Sequence, residues 1–351
     1  MSNSEEEILA AKEKASSTKT KQIIIGLVFG AVFLWFAFRQ VDLSDVGSVI
    51  GKISYGWMLP FVFVTVLSHW FRGARWGLLI AQDGKRIAHF RLFTAIMNMY
   101  AMNYAFPRLG ELSRAIYINK KEKIPTSNLL GTVVLERVVD TFCLALILAL
   151  SFFLVLSEPA IVRGLLGDNL ADDIARFSIS EQWPWLLIML FGGFGALFGL
   201  FKLMEWFSDK DIEHLWAKKG QNFILSFWKG IISIKDVPNW GWFTFYTVSI
   251  WFCYALMTYI PFYMLDLTDL YNLSLLDGVL IMAISSLGVI VPSPGGIGSY
   301  NYMVMLGMSV LYDIPEATGL GYSIVVYALN FLTILVFAGA SFFIDRLGKK
   351  E

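Results

Sequence analysis

The sequence predicts an all-α polytopic integral membrane protein with about six full spans, two opposed re-entrant helical hairpins and an inverted internal repeat. Three observations lead there. Of 351 residues, 56% are hydrophobic and only 16% charged, with a mean hydropathy of +0.61; a soluble domain carries roughly a quarter charged residues. A Pro-Gly-rich stretch at 291–298 separates apolar runs at 279–290 and 302–311, and each run is shorter than the roughly 20 helical residues a bilayer core requires. Lysines and arginines also collect in alternate loops, the asymmetry that sets orientation in membranes.

The same inventory excludes several classes. Formal net charge is zero, so no bulk basicity argues for nucleic acid. Cys143 and Cys253 fall in apolar spans and read as small core residues. His69, His89 and His214 make no zinc spacing. There is no G-x-x-x-x-G-K-[ST], no H-E-x-x-H and no plausible nucleophile–His–acid set. No cofactor, metal or catalytic residue is expected, and the chain is not expected to be an enzyme.

Residues 1–21 are polar, lack the apolar core of a signal peptide and read as a disordered cytoplasmic tail. A single transmembrane domain is expected over 22–347, followed by a short tail at 348–351. The first span is expected at 22–38 and the second around 57–70. A basic stretch with Arg72, Arg75, Lys85, Arg86 and Arg91 follows the second span and reads as cytoplasmic, which places the amino terminus inside. The apolar run at 90–106 breaks at Pro107-Arg108-Leu109-Gly110-Glu111, and Lys120, Lys121 and Lys123 follow its return. Both flanks are basic, so this hairpin enters and leaves from the cytoplasm.

A long apolar segment at 126–156 contains Glu136, Arg137 and Asp140, and an acidic loop then precedes a span at 183–206. The Lys-rich segment at 208–236 shows apolar residues mostly three and four apart, as expected of an amphipathic interfacial helix or one packed on the protein. The span at 242–265 leads to a loop with Asp266, Asp269 and Asp277 and no basic residue, so the second hairpin enters from outside. A last span at 318–343 returns to Arg346, Lys349 and Lys350. Both termini are thus expected in the cytoplasm of a multi-pass protein of the cell (plasma) membrane.

Lys123-Ile124-Pro125 opens one long span and Asp313-Ile314-Pro315 the other. Counted from each proline, Ser151-Phe152-Phe153 matches Ser341-Phe342-Phe343, Arg137 falls on Tyr327 and Asp140 on Asn330. Repeat halves are therefore expected at about 90–156 and 278–345. Because one hairpin enters from each side, the halves would be inverted, and broken helices in inverted repeats are a transporter signature.

Three groups can carry chemistry. Arg108, Glu111 and Arg114 lie at the first hairpin, where a guanidinium can hold a phosphate bidentately; ordinary interfacial charges would look the same. Glu136, Arg137 and Asp140 can share one helical face, and ionisable groups in a span are functional candidates by default. An internal salt bridge that only locks helices together is the plainer alternative. The Pro-Gly tip offers Ser293, Gly295, Gly296, Gly298, Tyr300 and Asn301, with Asn330 on the following span. A glycine-rich turn before a helix start can present unpaired N–H groups to an anion.

The motifs Arg72-Gly73-Ala74-Arg75-Trp76, Pro107-Arg108-Leu109-Gly110-Glu111-Leu112-Ser113-Arg114, Leu135-Glu136-Arg137-Val138-Val139-Asp140 and Pro294-Gly295-Gly296-Ile297-Gly298 carry a resemblance. In order and spacing the chain resembles the flippase-like transmembrane domain of lysylphosphatidylglycerol synthases (multiple peptide resistance factors). The resemblance runs from Arg72 to about Leu347 and implies a domain that moves lipid, or lipid headgroups, between leaflets. The family often has Glu where this chain has Asn301, and no room for a soluble aminoacyl-transfer domain follows residue 343, so lipid aminoacylation is not expected.

A lipid flippase or scramblase is thus the leading expectation, with a membrane lipid as substrate and the hairpin tips meeting near the midplane. Arg114 and Arg137 would hold the lipid phosphate. An accessory protein or membrane enzyme of envelope glycolipid synthesis, working with a partner lipid-modifying enzyme, is a second class. A small-solute or ion transporter is a third. A homo-oligomer is compatible with all three.

Overall fold

The computed structural model describes residues 35, 43–80, 87–106, 109–156, 237–290 and 293–347, and every regular element among them is helical. The expected spans at 22–38 (Trp35 apart) and 183–206, the interfacial segment at 208–236 and both tails lie outside the described residues, as does Arg108. The helices are α1 (Leu43–Ile50), α2 (Met58–Ile80), α3 (His89–Ala105), α4 (Gly110–Glu122) and α5 (Thr126–Leu156). After the undescribed stretch come α6 (Trp240–Met264), α7 (Leu267–Tyr271), α8 (Leu275–Ile290), α9 (Ser299–Tyr312) and α10 (Glu316–Leu347).

Among the described residues, three helices are long and apolar enough to cross a bilayer: Thr126–Val155, Trp240–Met264 and Glu316–Asp345. Ser44–Ile50 with Tyr55–Ile80, bent by 68°, can supply a fourth. This is a helical membrane protein. One boundary differs materially from expectation. The second span does not give way to a basic loop near residue 70; α2 runs on to Ile80 and carries Arg72 and Arg75 within it. Its buried face continues past the arginines through Ala74, Trp76, Leu79 and Ile80, and that apolar stripe sustains the helix.

The chain divides into two compact units, and the division passes through α2, α3, α4 and α6. The first unit holds the chain up to Leu67 with Met97–Ser113 and Cys253–Glu351. Here α8 and α9 form a close hairpin. A Cβ on Gly288 would meet the Ser299 carbonyl oxygen at 2.5 Å, so only glycine allows the two backbones this approach. Between them runs a single 3-10 turn, Pro294–Gly296, and Gly295, Gly296 and Gly298 all have positive φ (59°, 79° and 85°). Asn301 secures the turn from inside: its Oδ1 accepts the Gly298 N–H at 3.1 Å, and its Nδ2 donates to Ser323 Oγ at 3.0 Å. Val46, Met305 and Leu320 form a small core where α1, α9 and α10 pack.

The second unit holds Ser68–Ile96 and Arg114–Phe252. Leu79, Leu135, Val237 and Phe243 cluster in its core, and Gly73 lets α2 approach the α3 backbone, since a Cβ there would meet Phe93 N at 3.2 Å. At the tip of the α3–α4 hairpin, within the first unit, Asn103 Oδ1 accepts the Gly110 N–H at 2.8 Å. Gly110 itself has no room for a side chain, because its Cβ would lie 2.1 Å from the Met99 carbonyl oxygen.

One order of elements occurs twice. Helices α3, α4 and α5 have 17, 13 and 31 residues; α8, α9 and α10 have 16, 14 and 32. The third residue of the first helix is tied to the last residue of the second in both, as Arg91 to Glu122 and as Asp277 to Tyr312. The turn into the long helix is made each time by a non-glycine residue at positive φ, Lys123 (61°) and Asp313 (51°), just before Ile-Pro. Proline suits that place because its fixed φ and missing N–H cost nothing at a helix start.

Two glycines should behave differently on steric grounds. Gly110→Ala should destabilise the protein by about 1–3 kcal/mol, since the obstructing atom is backbone and cannot rotate away. Gly339→Ala, with nothing within 4 Å of the added carbon, should be neutral or slightly stabilising. Thermal unfolding of the detergent-solubilised protein compares them, and equal effects would refute the tight tip.

Candidate functional site: a buried arginine–carboxylate cluster and a glycine-rich tip

The second unit draws charge from three helices. Helix α2 places Arg72 and Arg75 three residues apart, so that both face α5. Helix α5 offers Glu136 and Asp140 one turn apart, and α4 brings in Arg114. Glu136 is fully buried: its Oε1 accepts from Arg72 Nε at 2.7 Å and its Oε2 from Arg114 Nη1 at 2.8 Å. Arg72 Nη2 reaches on to Asp140 Oδ2 at 2.5 Å, and Arg75 Nη2 donates to Asp140 Oδ1 at 2.6 Å. Arg75 Nη2 also lies 3.6 Å from Glu136 Oε1.

Trp76, from the same helix as the two arginines, supports the third. The Arg114 guanidinium carbon stands 4.6 Å from the centroid of its ring, and the indole N–H donates to Thr132 Oγ1 at 3.0 Å. That stacking adds cation–π attraction in a place where solvent screening is weak.

Two features distinguish this cluster from a balanced salt bridge. Among the described residues three guanidiniums face two carboxylates, and half-buried Arg137 stands beside Glu136 in sequence. Arg114 is wholly buried, yet its Nε and Nη2 have no hydrogen-bond partner among the described residues. Those two nitrogens form the edge of a guanidinium that engages an oxyanion through two parallel N–H bonds. A buried N–H left unmatched costs about 1–3 kcal/mol, more when charged, so this edge is built to meet an acceptor. Glu136 is ten residues into α5, roughly 15 Å along its axis. That is about half the thickness of a bilayer core.

The sequence-predicted residues separate into two groups. Glu136, Asp140 and Arg114 come together, with Arg137 adjacent. Glu111 is half-buried on α4, three residues before Arg114. Ser293, Gly295, Gly296, Gly298, Tyr300, Asn301 and Asn330 all belong to the first unit. There the tip is less open to an anion than its glycines suggest. The Gly296 N–H goes to the Ser293 carbonyl and the Gly298 N–H to Asn301. Ser293 and Ser299 hydroxyls lie 3.3 Å apart. Asn301 has both ends of its carboxamide engaged and works as a structural brace.

Sequence reasoning misses Arg72 and Arg75 as members of the cluster, because it assigns them to a loop. A signal for them is present: Trp76, Leu79 and Ile80 continue the helical apolar stripe, which places the two arginines inside it.

The charge balance can be tested directly. Glu136→Gln removes the acceptor shared by Arg72 and Arg114 and should cost about 3–5 kcal/mol, the usual penalty for breaking a buried pair. Adding Arg72→Gln should recover part of that loss, because one uncompensated cation goes with it. A strictly additive double variant in thermal unfolding would contradict the coupling.

The sequence profile described as "Lysylphosphatidylglycerol synthase TM region" matches residues 23–338, a stretch that takes in both groups. The chain has no significant match among curated proteins. With nearly its whole length covered by that one profile, the chain belongs to the lysylphosphatidylglycerol synthase transmembrane-region family.

Proposed function

We propose that the protein moves a phospholipid, or another lipid with a polar headgroup, between the leaflets of the plasma membrane. The observation that carries this reading is the open Nε–Nη2 edge of Arg114, buried among an excess of guanidiniums. A lipid phosphate supplies both what the edge lacks, two acceptor oxygens, and what the cluster lacks, negative charge. Family membership supports lipid handling in the same direction.

The mechanism follows from the physical cost of the step. A zwitterionic or anionic headgroup crosses hydrocarbon slowly because its charge must be desolvated. Fixed guanidiniums at mid-depth replace water at the phosphate, while the acyl chains remain in lipid. Arg72 and Arg75 orient the carboxylates, Glu136 and Asp140 keep the cluster from repelling itself, and Arg114 meets the ligand. Arg137 is assigned a supporting place beside it.

The two hairpin-plus-long-helix arrangements make an inverted repeat on this reading, with both termini in the cytoplasm. Support comes from the matching helix lengths, the matching base ties and the loop charges. The chain is proposed to carry its ligand without chemically altering it.

Purified protein in liposomes with headgroup-labelled phospholipid should equilibrate the label between leaflets. Arg114→Gln should slow this about tenfold or more, and Arg114→Lys should fall between, retaining charge without the bidentate edge. Unchanged movement in a folded Arg114→Gln protein would sink the assignment.

A further inference from the structure

Arg114 has two open nitrogens, and a single hydrogen bond does not settle where they point. Its Nη1 donates to Glu136 Oε2 at 2.8 Å. A planar guanidinium held at that one nitrogen can still turn about the bond, swinging the Nε–Nη2 edge toward a ligand or away from it. A second restraint is needed before the edge can meet two oxygens of one anion together.

Trp76 supplies that restraint. The Arg114 guanidinium carbon stands over the indole, 4.6 Å from the ring centroid, and both residues are fully buried. A ring against one face resists the turn, because tilting the guanidinium gives up cation–π attraction and drives it into the ring. The indole is itself held. Its N–H donates to Thr132 Oγ1 at 3.0 Å, while the Thr132 hydroxyl donates to the Leu129 carbonyl at 2.8 Å and so keeps lone pairs for the indole. Flipping the ring would strand a buried donor. The contacts run from Leu129 through Thr132 and Trp76 to Arg114, all within the second unit.

Packing alone does not account for this set. A leucine or phenylalanine would fill the space beside a guanidinium without calling for a polar partner, whereas a buried tryptophan needs one for its N–H. Thr132 meets that need and fixes the ring's orientation. Orientation matters here, because the ring borders a buried guanidinium edge with no acceptor among the described residues.

We propose that Trp76, pinned by Thr132, is a positioning residue: it sets the plane of Arg114 so that Nε and Nη2 engage both free oxygens of one lipid phosphate. This rests on the lipid-moving reading above and adds to it two residues that act on the lipid through Arg114.

Isothermal titration of the full chain in detergent with dioctanoyl phosphatidylglycerol tests it. Thr132→Val, which keeps the side-chain shape but offers the indole no acceptor, should weaken binding roughly fivefold, the worth of one hydrogen bond. Thr132→Ser keeps the acceptor and should stay within about twofold of the unaltered chain. Trp76→Phe should also weaken binding, and adding Thr132→Val to it should change nothing further, since no N–H remains to be held. The decisive background is Arg114→Lys. An ammonium has no edge to aim, so Thr132→Val should there cost less than about twofold, whereas a packing role would cost as much as before. Should Thr132→Val not fold, Trp76→Phe carries the same comparison in both backgrounds. An undiminished effect beside Arg114→Lys would overturn the proposal. If Thr132→Val and Trp76→Phe leave affinity intact while Arg114→Gln abolishes binding, the positioning role falls and the phosphate reading stands. Unchanged affinity in a folded Arg114→Gln chain, or no binding of the lipid to the unaltered chain, brings down both.

Discussion

The carboxylate of Glu136 is the interaction on which the second unit depends. It is fully buried and shared between Arg72 on one side and Arg114 on the other. Three helices meet through that one group: α2, α4 and α5. In an apolar medium helices gain little from burying leucines against each other, because lipid is as apolar as leucine. Close packing and polar contacts must therefore set which helices pair and in what register. A carboxylate with two guanidinium partners at defined oxygens fixes register more tightly than an apolar seam, since a slip of one residue strands a buried charge. The Arg72 side chain extends that logic by bridging Glu136 and Asp140, one helical turn apart.

The hairpins obey a related constraint at their tips. A helix that stops inside a membrane domain exposes N–H and C=O groups that water cannot reach. Both tips answer with an asparagine carboxamide: Asn103 receives the Gly110 N–H, and Asn301 receives that of Gly298. The two residues come from different arms of their hairpins, the outgoing helix in one and the returning helix in the other. Glycine then allows the backbone to pass where a side chain would collide. Each tip is therefore braced by construction. At their bases the hairpins differ in kind, one closed by an ion pair and the other by a tyrosine hydroxyl on an aspartate.

Much of this is legible in the sequence. The breaks at 107–110 and 291–298, the Ile-Pro starts of the long helices and the extent of α5 all follow from proline, glycine and apolar run length, because these act locally. The gathering of Glu136, Asp140 and Arg114 is legible in part, since ionisable residues in apolar runs must find partners. Arg72 and Arg75 escape a sequence reading because the charge rule counts arginine as a loop residue; the apolar stripe through Trp76, Leu79 and Ile80 signals that the helix continues, but not that a partner lies 64 residues away in sequence. Asn301 reads as a binding group because its helix-start position offers no sign that Ser323 engages its amide.

The contrast between the two arrangements has a physical rationale. Charge at mid-depth is expensive, and the expense falls when opposite charges are concentrated in one place and hydrogen-bonded to each other. Distributing the same guanidiniums and carboxylates over both long helices would split the cluster and leave each half poorly compensated. Concentrating them on α5 and its neighbours allows Glu136 and Asp140 to serve three arginines at once. The positions at the same offsets from Pro315 carry Tyr327 and Asn330, which need no counter-charge.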